Sequence, residues 1–98
     1  MKCDVSVIIP NYNGESFIAN CLDSLMVQSF SNFGHMQIIV VDDCSTDTSV
    51  EIIKTYKEVM LLQNPVNSGF DKSVNEGILA SQGKYCLLLN NDVVADPD

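Results

Sequence analysis

The sequence predicts an α/β domain, an open parallel sheet in the order β-α-β-α-β-α-β with helices on both faces. Three observations carry that reading. Short, nearly continuous apolar runs recur along the chain, among them VSVIIP with only Ser6 polar, QIIVV and YCLLL, and near-continuous apolarity marks strands covered on both faces. Between the runs, apolar residues fall at helical spacing, as crossover helices require. Right-handed crossovers then leave an open doubly wound sheet as the leading topology.

Each element has its own signal. Val5 to Pro10 is β-branched and stopped by proline, a buried strand. Asn11 to Gly14 is turn chemistry. From Glu15 to about Ser29, Phe17, Cys21 and Leu25 with Ile18, Leu22 and Met26 form one helical stripe. After a loop at Ser31 to Gly34, Gln37 to Val41 is the second strand. Ser45 or Thr46 is placed to cap the next helix, with Asp47 and Glu51 in its first turn. Val50, Ile53 and Lys57, with Ile52 and Tyr56, form its inner face. Val59 to Gln63 is the third strand and Asn64 to Gly69 a loop. Phe70, Val74, Gly77, Ile78 and Ser81 mark the third helix, with Gly83 as its C-cap. Tyr85 to Leu89 is the fourth strand.

Composition narrows the function classes. Of 98 residues 46% are hydrophobic and 18% charged, the balance of one globular domain. Five lysines, no arginine and thirteen acidic residues give a net charge of −8. Duplex nucleic acid and anionic membrane would both repel such a chain. The four cysteines have no C-x-x-C pair and His35 is the sole histidine, so zinc-ligand spacing is absent. Reduced thiols, no signal segment and no membrane-length apolar run point to a cytoplasmic protein. A longer protein carrying this chain could associate with the inner face of a membrane.

Parallel strands end on one edge, and ligands bind beyond those ends. Here that edge carries Pro10-Asn11-Tyr12-Asn13, Asp42-Asp43, Asn64 to Gly69 and Asn90-Asn91-Asp92. Asp43 and Asp92 are expected to converge there. The edge has neither a G-x-G-x-x-G turn nor a P-loop. Without arginine, a pyrophosphate would need a divalent metal held by a carboxylate. Asp92 suits that task, and Asp43 suits accepting hydrogen bonds from a base or ribose.

The segments VSVIIPNYNG, VVDDCSTD, N-x-G-F-x(4)-N-x-G from Asn67 to Gly77 and YCLLLNND resemble glycosyltransferase family 2 enzymes, in order and spacing, over essentially the whole chain. The resemblance implies the Rossmann-like, donor-binding half of a GT-A fold over residues 1–98, with the acceptor half absent. It implies a glycosyltransferase that moves a sugar from a UDP- or dTDP-linked donor to a saccharide or lipid-linked acceptor hydroxyl, with inversion, in cell-envelope polysaccharide synthesis. By the same likeness Pro10, Asn11, Tyr12 and Asn13 lie along the base, Asp43 accepts from it, and Asp42 shapes that turn. Asn67, Gly69, Lys72 and Asn91 serve the nucleotide, Asn90 faces the ribose, and Asp92 binds Mg²⁺ or Mn²⁺ at the diphosphate. The general base is expected beyond residue 98, which would leave this chain alone inactive.

Two departures stand out. Asn90 occupies the first acidic position of the family's D-x-D, and Val74 stands where many relatives have arginine, leaving Lys72 as the nearby cation. N-N-D with N-x-G-F resembles the rhamnosyltransferase-like branch. A non-catalytic nucleotide-sugar-binding module would use the same strand ends. A phosphoacceptor receiver domain expects its acidic pair after the first strand, whereas here it follows the second. In the plainest reading Asp42-Asp43 ends a strand, Tyr12 is an aromatic plug, Asn64 to Gly69 is only a turn, and Lys72 is a surface lysine.

Overall fold

The runs richest in β-branched residues become the two central strands, where both faces are covered. The computed structural model describes residues 3–31 and 36–91. β1 (Cys3–Asn11), β2 (Met36–Asp42), β3 (Val59–Gln63) and β4 (Gly83–Leu88) form one parallel sheet in the order β3-β2-β1-β4. The crossovers carry α1 (Ile18–Ser31), α2 (Ser49–Lys54) and α3 (Phe70–Ala80).

Strand alternation assigns the faces. Val7 pairs with Ile38 and Ile9 with Val40, and these four meet Ile18, Cys21, Leu22 and Leu25 of α1 and Ile53 of α2 in the main core. Tyr56, just after α2, packs on that core and donates its hydroxyl to Asp23 of α1 at 2.6 Å. Burial, together with the Asp23 carboxylate, pushes the Tyr56 phenol up to about 12. Ile8 and Val41 face the other way, toward α3. The expected parallel sheet with helices on both faces is therefore the observed architecture. Among the described residues no helix is long and apolar enough to cross a membrane.

Several details differ from the sequence expectation. Regular α1 starts at Ile18, three residues after Glu15, because Phe17 and Ile18 first close a turn on the Gly14 carbonyl, both at 2.9 Å. Phe17 thereby falls outside the buried stripe and is exposed. Neither Ser45 nor Thr46 caps α2. That helix begins at Ser49, and Asp47 Oδ1 accepts from the Ser49 amide at 2.9 Å. Lys57 lies beyond α2 and is exposed, because the helix ends at Lys54. Gly83 opens β4 instead of capping α3, whose chain leaves through an extended Ser81. β4 is an edge strand, so Tyr85, Leu87 and Leu88 are exposed.

The buried face of α3 follows the expected stripe only at Gly77 and partly at Val74. Phe70 and Ile78 are exposed, while Ser73 and Gly77 are buried. Small residues let the helix backbone approach the sheet, and a Cβ on Gly77 would run into the Ile8 side chain. Alanine is better than glycine in a helix by about 1 kcal/mol, but overpacking a core costs about 1–3 kcal/mol. Gly77→Ala is therefore expected to lower stability in urea denaturation by about 1 kcal/mol net. An unchanged or raised midpoint would contradict this close packing of α3.

Candidate functional site

The order β3-β2-β1-β4 places the topological switch between β1 and β4, where the chain leaves β1 in opposite directions. A crevice opens beyond strand ends at such a point. Here it is a cleft of about 430 Å³ lined by Pro10, Asn11, Tyr12, Asp43, Asn67, Gly69, Phe70, Ser73, Asn90 and Asn91. Residues far apart in sequence meet there because every strand runs the same way.

Its floor is a buried polar network. Asn11 follows Ile9 on the α1–α2 face and is paired with Asp42. Asn11 Nδ2 donates to Asp42 Oδ1 at 2.8 Å and to Ser49 Oγ at 3.0 Å. Asp42 also accepts from Ser45, through Oγ at 2.6 Å and the amide at 2.9 Å. On the other side, Asn91 Nδ2 donates to Asn11 Oδ1 at 2.9 Å. That bond passes directly over Gly14, where a Cβ would meet both the Asn91 and the Asn11 amides. Glycine is needed at 14 for this close approach, not for a special φ.

Adjacent residues of a strand point to opposite faces, so Asp43 serves the other side. Its Oδ1 accepts from Asn64 Nδ2 at 3.0 Å and the Ser68 amide at 2.6 Å, and its Oδ2 from the Gly69 amide at 2.9 Å. Gly69 can present that amide because its φ of 97° is open to glycine. Burial pushes the Asp43 carboxyl up, but the bonds from Asn64, Ser68 and Gly69 and the positive Lys72 outweigh it, leaving it below the ordinary 3.8. Burial likewise opposes ionisation of Asp47, and bonds from the Ser49 hydroxyl, the Ser49 amide and the Glu15 amide overcome it.

Of the residues expected at the site, Pro10, Asn11, Tyr12, Asp43, Asn67, Gly69, Asn90 and Asn91 line the cleft. Tyr12 is exposed there and plugs nothing. Asn13, Asp42 and Lys72 do not line it. Asn13 Oδ1 accepts from the Thr46 amide at 2.8 Å, tying the two turns together, and Asp42 is buried beneath the floor. Asp92 lies outside the described residues, so its convergence with Asp43 does too, and so does His35. Phe70, Ser73, Asn64 and Ser45 were not singled out as site residues. Phe70 follows Gly69 in N-x-G-F, Ser45 lies in VVDDCSTD and Asn64 begins the strand-end loop. Ser73 has no signal of its own.

Both perturbed carboxyls are more acidic folded than unfolded, so the folded state holds fewer protons. Their contribution to stability is complete above the unfolded value of 3.8 and is lost as pH falls through the lower folded values. Chemical denaturation from about pH 6 to about pH 2.5 should show stability declining below 3.8, with Asp47→Asn flattening the decline. An unaltered slope in that variant would contradict the role given to Asp47.

A model of the family described as glycosyl transferase family 2 matches residues 6–98. Poly(ribitol-phosphate) beta-glucosyltransferase of Bacillus spizizenii is 39% identical over 93 residues, 90% of this chain and 14% of that protein. The structure of Staphylococcus aureus TarS in complex with UDP-GlcNAc matches with a TM-score of 0.84 at 34% identity, covering 91% of this chain and 26% of that one. A mannosyltransferase of Pyrobaculum calidifontis, in complex with GDP-Man and Mn²⁺, matches with a TM-score of 0.81 over 94% of this chain and 28% of its own. At 22% identity that likeness shows the fold alone. The chain thus spans between 14% and 28% of these proteins. The sheet is that of the GT-A fold, and the chain belongs to glycosyl transferase family 2.

Proposed function

We propose that the protein carrying this chain transfers a sugar from a nucleoside-diphosphate donor to an acceptor hydroxyl, with inversion, and that residues 1–98 form its donor-binding half. The observation that carries the reading is the cleft at the switch point, where three strand ends and the start of α3 bring an ionised carboxylate, amides and two exposed aromatic rings together. Asp43 supplies a negative acceptor for base N–H groups. Tyr12 and Phe70 offer faces on which a base can stack. The positive end of α3 opens onto the cleft through Gly69, Phe70 and Ser73 and favours phosphate oxygens.

Among the described residues no cluster of three His, Cys, Asp or Glu side chains could hold a cation. The donors at hand are the amide oxygens of Asn90 and Asn91 at the cleft, and Asp92 follows Asn91 in the sequence. Oxygen donors of this kind fit a hard cation that takes its remaining ligands from a diphosphate. A Mg²⁺ or Mn²⁺ ion held by Asp92 would stabilise the charge that develops on the leaving diphosphate. Lys72, in the first turn of α3, adds the nearby positive charge. The poly(ribitol-phosphate) named for the Bacillus relative favours a cell-envelope polymer or saccharide as acceptor. The crystallised UDP-GlcNAc complex favours a UDP-linked donor.

Calorimetry with UDP should show binding that strengthens on adding Mn²⁺ or Mg²⁺, and Asp92→Asn should remove that increment while leaving metal-free binding unchanged. Binding that is indifferent to metal would remove the role given to Asp92. An absence of UDP and dTDP binding under all conditions would overturn the donor-site reading itself.

A further inference from the structure

We infer that Asn64 is a positioning residue for nucleotide binding, holding the Asp43 carboxylate so that Oδ2 faces the cleft as the acceptor for a base imide N–H. The inference rests on the donor-binding reading above and deepens it. Asn64 does not line the cleft, and only 5% of its surface is exposed. Its amide nitrogen donates to the Asp42 carbonyl at 2.8 Å, carrying the β2–β3 ladder one step past Gln63. Its backbone is therefore fixed by the sheet. From there Nδ2 gives one hydrogen to Asp43 Oδ1 at 3.0 Å and the other to Ser73 Oγ of α3 at 3.2 Å.

Counting acceptor sites shows the consequence. Each carboxylate oxygen takes about two hydrogen bonds. Oδ1 has two donors, Asn64 and the Ser68 amide, whereas Oδ2 has one, the Gly69 amide. The remaining acceptor site lies on Oδ2, and Asp43 is a lining residue of the cleft. Rotating the carboxylate away would break the Asn64 bond. A uracil or thymine presents the complementary imide N–H donor.

The charged and titratable groups around Asp43 can be named element by element. Lys72 on α3 favours the ionised form. Asp42 precedes it on β2 with its oxygens turned to Asn11 and Ser45. Cys44 follows it and directs its thiol to the Pro65 carbonyl at 3.6 Å. Tyr12, from the β1 end, shares the cleft. None of these replaces the neutral donor that Asn64 supplies.

The test combines two readouts on the protein and Asn64→Ala. One is UDP affinity by calorimetry between about pH 3 and about pH 7, a range that reaches the protonation of Asp43. The other is the carboxyl carbon resonance of Asp43, followed through an acid titration without nucleotide. The variant is expected to bind UDP about tenfold more weakly, the scale of one lost hydrogen bond to a charged group. Its binding should fail at higher pH than in the parent, and the Asp43 titration midpoint should move upward. A loop staple alone would raise the Asp43 midpoint as well, but would leave UDP affinity and its pH dependence unchanged. Should Asn64→Ala not fold, Asn64→Ser carries the same expectations. Unchanged affinity, or an unmoved Asp43 midpoint, overturns the inference while a UDP-binding parent preserves the donor reading. A parent that binds no UDP overturns both.

Discussion

A buried amide and a buried carboxylate, Asn11 and Asp42, meet across the ends of β1 and β2 at 2.8 Å, with 1% and 2% of their surfaces exposed. Removing either would leave the other without its partner in a place water does not reach, and such groups cost about 1–3 kcal/mol each. The ligand edge hangs on this pair. Asn11 reaches forward to Asn91 after β4 and back to Ser49 of α2. Asp42 fixes Ser45, whose hydroxyl accepts from the Asn13 amide at 2.8 Å. The four segments around the switch point thereby share one set of hydrogen bonds.

Two consecutive aspartates perform opposite tasks because a strand turns successive side chains to opposite faces. Asp42 points into the α1–α2 side and ties strand ends together. Asp43 points to the α3 side, where it closes the loop from Asn64 to Gly69 and faces the cleft. The backbone continues the ladder past the formal strands, with the Asp43 amide on the Asn11 carbonyl and the Asn64 amide on the Asp42 carbonyl, both at 2.8 Å. That regularity lets a side chain on one strand place a carboxylate on its neighbour. It also explains why the structural and ligand-facing residues interleave along the sequence.

The element order was legible because buried parallel strands need continuous apolar runs, and VIIP and IIVV are such runs. The gathering of strand-end residues followed from topology alone. The packing face of α3 was legible only in part: Gly77 lies on the expected stripe, but the buried Ser73 carries no hydrophobic signal, and Phe70 and Ile78 of the stripe are exposed. Ser45 and Thr46 read as helix caps because their side chains suit that role locally. In the fold Ser45 gives its hydroxyl to Asp42, three residues earlier, and accepts from the distant Asn13 amide, while the Asn13 side chain takes the Thr46 amide. Asn64 looked like a turn residue for the same reason: its partners, Asp43 and Ser73, become neighbours only when β2, β3 and α3 assemble.

The central claim is that the switch-point cleft is where a nucleotide binds. Its most direct test is an amide-resonance titration of the isotope-labelled protein with UDP. The account predicts shifts concentrated at Asn11, Tyr12, Asn67, Gly69 and Phe70, fading along the strands toward their amino ends. Saturable shifts centred elsewhere, such as on the exposed edge of β4 around Tyr85 and Leu87, would contradict it.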